Sequence, residues 1–208
     1  MPVAKVLFLN GDVQITKSDG TTHNAKPGES LGTGDGLNTG KKSSVILNLG
    51  AETGNIEIQS ESKIRIQKEA EKLSISMLQG KTWLQSSKLK KGEELILNTP
   101  VSVAGIRGTK FYTMINGDMV FTCHCEGKIE YKNIQDNKTL TNDTDYLIVQ
   151  KKDKVVIIYP ADLQKANIGF SHSHSELENS PLGKQDTMSD PDREKMLNLI
   201  ESKFKNIE

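Results

Sequence analysis

Cys123-His124-Cys125 and His172-Ser173-His174 are the residues of this 208-residue chain whose types could do chemistry together. A thiolate is both a nucleophile and a soft metal ligand, and an imidazole ligates through either ring nitrogen. On an extended strand, residues i and i+2 face the same side, about 6.6–6.8 Å apart. That spacing turns the thiols of Cys123 and Cys125 toward one metal and His124 away from it. It is too wide for an unstrained disulfide, whose Cβ atoms lie about 3.8 Å apart, unless a bulge intervenes. His172 and His174, with Glu176 nearby, would complete a tetrahedral Cys2His2 set for a transition metal, or serve as haem-type ligands. Their spacing differs from the C-x2–4-C and H-x3–5-H of structural zinc sites. Two other readings stand beside this one: small buried strand cysteines with solvated loop histidines, and a redox-active dithiol.

The remaining chemistry-bearing patterns are missing from the sequence. It contains no Gly-x-Ser-x-Gly elbow, no phosphate loop ending in Gly-Lys-Ser/Thr and no His-Glu-x-x-His. The glycines at 28–40 lead into a strand pattern, whereas dinucleotide binding needs a glycine turn that opens a helix. Carboxylates are scattered, so no catalytic pair is expected, and the chain reads as non-enzymatic. Lys and Arg total 27 against 27 Asp and Glu, and aromatics are 5%. A neutral, aromatic-poor chain lacks the basic, stacking surface of a nucleic-acid binder. No apolar run approaches the 18 or more residues of a membrane-spanning helix. Two cysteines are too few for a disulfide scaffold. The opening Met1-Pro2-Val3-Ala4-Lys5 lacks the pattern of a secretory leader. The expected location is therefore the cytoplasm if the chain is complete, or the periplasm or cell envelope if a leader lies upstream.

These residues are positioned by short alternating segments. Residues 3–9, Val45-Ile46-Leu47-Asn48-Leu49, Ile56-Glu57-Ile58, Ile64-Arg65-Ile66 and Leu73-Ser74-Ile75-Ser76-Met77 read as half-buried strands. So do 95–98, 109–115, 119–123, 128–131, 146–149 and 155–158. Strand centres about 8–12 residues apart mark an all-β sandwich, barrel or roll. Gly28, Gly32, Gly34, Gly36 and Gly40 predict a nested turn with several positive φ angles. Asn116-Gly117-Asp118 predicts a type I′ hairpin, and Pro100 predicts a strand end. Lys88-Leu89-Lys90-Lys91 reads as a charged hairpin tip, balanced by Glu93-Glu94. The division expected is a β domain over 1–159, a polar linker over 160–189 with two helical turns near its start, and an amphipathic helix over 190–208. That helix opens at Ser189-Asp190-Pro191-Asp192 and carries a stripe of Met196, Leu199, Ile200, Lys203 and Ile207, widened by Leu197 and Phe204. The stripe is expected to dock on the β domain.

Three stretches carry a family resemblance. Residues 28–40 followed by Ser43-Ser44-Val45-Ile46-Leu47-Asn48-Leu49 resemble the opening of the FecR domain. Thr99-Pro100-Val101-Ser102-Val103-Ala104-Gly105-Ile106-Arg107-Gly108-Thr109-Lys110-Phe111 resembles its central Thr-Pro, small apolar strand and Arg-Gly-Thr-x-Phe. Cys125-Glu126-Gly127-Lys128-Ile129-Glu130 resembles its closing Gly-x-Val strand. The resemblance covers about residues 3–131. It implies a mainly all-β sandwich or roll of many short strands, here with a C-terminal helical tail, in which Thr99, Pro100, Arg107, Gly108, Thr109 and Phe111 are structural. It further implies an extracytoplasmic module with a protein partner in the envelope; the best-known members relay iron-siderophore occupancy to a sigma factor. Some envelope relatives also resemble this chain in a Cys-x-Cys-x-Gly strand followed by a histidine pair, which extends the metal or haem expectation for Cys123, Cys125, His172 and His174.

Overall fold

The computed structural model describes residues 2–50, 53–87, 89–134, 137, 139–142, 146–169 and 189–207. Fifteen strands and two helices lie among them: β1 (Ala4–Asn10), β2 (Val13–Thr16), β3 (Thr22–Asn24), β4 (Ser30–Leu31), β5 (Gly36–Thr39), β6 (Ser44–Asn48), β7 (Gly54–Ile58), β8 (Lys63–Glu69), β9 (Lys72–Ser86), β10 (Glu94–Asn98), β11 (Ser102–Asn116), β12 (Met119–Asn133), β13 (Thr139–Asn142), β14 (Tyr146–Lys151), β15 (Lys154–Ile158), α1 (Pro160–Lys165) and α2 (Asp190–Lys205). The mainly-β expectation holds. Period-two patterns such as Lys-Ile-Arg-Ile in β8 put isoleucines inside and cations outside, and Ile64 and Ile66 are buried as that alternation requires.

All the strands join one hydrogen-bonded sheet, which folds over itself into two layers. One layer runs β4-β1-β6-β7 and on through the C-terminal half of β9, the C-terminal half of β11, the N-terminal half of β12, β14 and β15. The other runs β3-β2-β5-β8 and on through the N-terminal half of β9, β10, the N-terminal half of β11, the C-terminal half of β12 and β13. The 15-residue strands β9, β11 and β12 belong to both layers, so each must bend. Their inward residues change parity at the bend. In β9 the buried set passes from Leu73, Ile75 and Met77 to Thr82 and Leu84. In β11 it passes from Ala104 and Ile106 to Thr109 and Phe111, and in β12 from Val120, Thr122 and His124 to Ile129 and Tyr131. A regular strand cannot change parity; one inserted residue can, and bulges are where strands turn corners between layers. Residues from both halves of these strands meet in one core with Val6, Ile15, Leu37 and Leu47. Each such side chain contributes roughly 1.5–3 kcal/mol of burial.

Several local expectations change. The Gly117-Asp118 turn is closed by Asn116 opposite Met119, with Gly117 at φ 60 and Asp118 absent from the positive-φ residues. Glycine at the first central position makes the turn type II′, not I′. Of the glycines at 28–40, Gly28 and Gly34 alone have positive φ. Gly36 and Gly40 instead admit close neighbours, the Ile64 carbonyl and Asp12. Residues 87–93 do not cap a hairpin, because β9 and β10 pair in parallel. The connection crosses over, and Leu89 within its lysine run is buried in the core.

A second apolar cluster lies on the outer face of β12, β14 and β15. There Phe121, Val149, Val156 and Ile158 receive Met196 and Ile200 of α2, with Leu199, Phe204, Leu163 of α1 and its C-cap Ala166 at its margin. Ser189 caps α2 by accepting the Asp192 N–H at 3.3 Å, and Asp190 and Asp192 sit at its positive end. Lys203 pairs with Asp162 of α1 at 2.9 Å. Ile207, expected on the docked stripe, is instead exposed, because the helix ends at Lys205 and Asn206 caps it. No helix among the described residues is long and apolar enough to cross a membrane.

Candidate functional site

The Thr-Pro and Arg-Gly-Thr segments build the corner of β11. Thr99 starts a four-residue turn: its N–H donates to the Ser102 carbonyl at 2.8 Å, and its hydroxyl lies 2.7 Å from the Ser102 hydroxyl and accepts the Ser102 N–H at 3.0 Å. Pro100, without an N–H, ends the β10 ladder at no cost. After Arg107 opposite Lys128, the next pair is Lys110 opposite Glu126. Gly108 and Thr109 therefore stand against Gly127 alone, and Gly108 takes φ 62, the left-handed region that glycine enters freely. Thr109 is buried; its hydroxyl accepts the Arg107 N–H at 3.4 Å and its own N–H donates to Ser86 at 3.1 Å. The bulge lies where β11 leaves β10 for β9, with Phe111 fully buried beyond it and Arg107 exposed.

The cysteine strand carries the matching irregularity. Lys110 faces Glu126 and Phe111 faces His124, so Cys125 is an extra residue of β12 and restores the register that Gly108 displaced. Cys123 is half-buried, in register with Tyr112 on one side and Leu147 on the other. Tyr112 in turn stacks at a tilt on Trp83, ring centroids 5.3 Å apart. His124 is buried on the core side, opposite Phe111. His172 and His174 lie outside the described residues. Among the described residues no three His, Cys, Asp or Glu side chains gather as a metal site.

Two polar clusters escaped the sequence reading. Buried Gln150 accepts the Tyr131 hydroxyl and donates to the carbonyls of Val101 at 2.7 Å and Lys152 at 3.1 Å, tying the Thr-Pro turn to the β14–β15 hairpin. Burial pushes the Tyr131 phenol up to about 12, against a smaller opposite pull from Ser102. Near the glycine-rich turn, the Asp35 carboxylate accepts from Gly32 N–H at 2.8 Å, Ser18 N–H at 3.0 Å and Lys17 Nζ at 3.0 Å. Burial would raise its pKa, but these donors outweigh burial and hold the carboxyl below its ordinary range. Glu29 behaves alike: burial is outweighed by His23, whose Nε2 lies 2.6 Å away, and by the Lys26 N–H. His23, Lys26, Pro27 and Glu29 line an open depression of about 430 Å³. Periodicity marks which face a residue occupies, so it could not reveal these partners from distant turns.

The family model described as FecR protein matches residues 35–130. No curated protein matches the chain. Among solved structures, the crystal structure at 1.65 Å of a putative anti-sigma factor from Parabacteroides distasonis ATCC 8503 is similar, with a TM-score of 0.52 and 11% identity over 63% of each chain. A second crystal structure of a putative anti-sigma factor from that organism, at 2.50 Å, aligns with a TM-score of 0.40 and 13% identity over 62% of this chain and 57% of that one. The chain thus spans less than two thirds of the length of either, and the first likeness is one of fold.

Proposed function

We propose that this chain, whose residues 35–130 match the family model described as FecR protein, is a non-enzymatic extracytoplasmic module that senses or relays a signal by binding a protein partner in the cell envelope. The observation that carries the reading is the family match together with what its motif does. Thr99, Pro100, Gly108, Thr109 and Phe111 are spent on a turn, a bulge and the core, leaving the outer faces and strand edges to bind. Strand addition is the mode of docking such a scaffold offers. The fold shared with a putative anti-sigma factor supports a regulatory role, and a link to iron- or metal-responsive control follows the best-known FecR regulators. Cross-linking of the tagged, full-length gene product in its source cells tests this. Fractionation should place the product in the envelope, joined to one saturable protein partner. Recovery in the cytosol without such a partner would refute it.

Binding of a metal or haem by Cys123, Cys125, His172 and His174 is the second reading, favoured by the half-buried position of Cys123. Elemental analysis of the purified, reduced chain decides it. About one metal per chain, lost in a Cys123→Ser/Cys125→Ser variant, would support it; a trace amount unchanged by the substitutions would end it.

A further inference from the structure

Free strand edges invite pairing, and proteins blunt them with short strands, bulges, prolines or inward charges. The edges of this molecule differ in that respect. β3, β4 and β13 have three, two and four residues. β1 is longer but its register shifts between Val6 and Phe8, which breaks any ladder on its open side. β15, Lys154-Val155-Val156-Ile157-Ile158, contains no bulge and no proline, and its one charge, Lys154, stands at its start. It pairs with β14 alone, in unbroken register from Lys151 opposite Lys154 to Leu147 opposite Ile158.

The hairpin geometry fixes which groups point outward. Lys151 and Lys154 close a two-residue turn and so form a hydrogen-bonded pair; alternation makes Val149–Val156 and Leu147–Ile158 the next such pairs. The N–H and C=O of Val155 and Ile157 then face away from β14. Among the described residues no backbone bond meets them from that side. Both side chains are half-buried, as expected at an open edge. Tyr159, directly after β15, is exposed at 46%.

We propose that β15 pairs antiparallel with β15 of a second copy of this chain, about a two-fold axis through Val156. The strand is self-complementary for this arrangement. Centring on Val156 sets Val155 opposite Ile157 of the second copy, so outward donors meet outward acceptors in both directions. It also sets Lys154 opposite Ile158 of the second copy, at the far end from that copy's Lys151, Lys152 and Lys154. A parallel pairing would stack these lysines on one another. The inference does not depend on the FecR reading.

Sedimentation equilibrium of the full chain over about 10 µM to 1 mM tests the pairing. The mass should rise from 23.0 kDa toward twice that value. Proline on an edge removes only the outward donor, so Val155→Pro and Ile157→Pro should each raise the dimer dissociation constant at least about tenfold. Amide exchange on the unaltered chain gives a readout that does not require the variants to fold. The Val155 and Ile157 amides should gain protection as concentration rises, while the β1 edge amides should not. A mass fixed at the monomer value, or exchange at Val155 and Ile157 independent of concentration, would overturn the proposal. A dimer whose protection appears at another edge would do the same.

Discussion

Gly108 is the residue on which the family motif turns. Its φ of 62 lets β11 change layers, and a β-carbon there meets the left-handed penalty of about 1–2 kcal/mol. Gly108→Ala should therefore lower the urea-unfolding free energy by about that amount, and Gly108→Val by more. Asp35 sets a pH dependence. Its carboxyl has a lower pKa folded than unfolded, so its contribution is present above the unfolded value, about 3.9, and is lost as pH falls through the folded value. Stability measured from pH 5 down to pH 2 should fall more steeply in the unaltered chain than in Asp35→Asn, which should already be weaker at pH 5. Of these two residues, Gly108 was legible in sequence as a structural residue of the Arg-Gly-Thr stretch. The donors to Asp35 come from Ser18, Lys17 and Gly32 across two turns, and no local pattern announces them.

At the scale of elements, alternation identified where strands lie but not where they bend. Leu73-Ser74-Ile75-Ser76-Met77 read as a strand ending near Gly80; the strand continues through Gly80 to Ser86 with its parity reversed. The helix was easier to foresee, since Ser189, Pro191 and a period of three to four are local signals. What it packs on is nonlocal: a face made by β12, β14 and β15 together. Met196 and Ile200 are its buried anchors. Ile200→Asp should release α2 while leaving the main core folded, at a cost on the order of 3 kcal/mol in docking. Increased binding of an apolar dye with an unchanged far-ultraviolet strand signal would record that release. Loss of the strand signal together with release of the helix would show that helix and sandwich unfold as one unit.

For the whole molecule, two layers share three long strands, and the corner between them consumes the most recognisable motif in the sequence. A FecR match over 35–130 and a fold shared at a TM-score of 0.52 agree with that architecture. The two proposed readings of its function make opposite demands on Cys123. The measurement that separates them is the affinity of the purified chain for the envelope protein recovered by cross-linking, taken with and without a metal chelator and for Cys123→Ser and Gly108→Val. Docking by protein contact predicts a Kd within about twofold for the chelated chain and for Cys123→Ser, and at least about tenfold weaker binding for Gly108→Val. A Kd that collapses on chelation or with Cys123→Ser, while Gly108→Val binds normally, would contradict it.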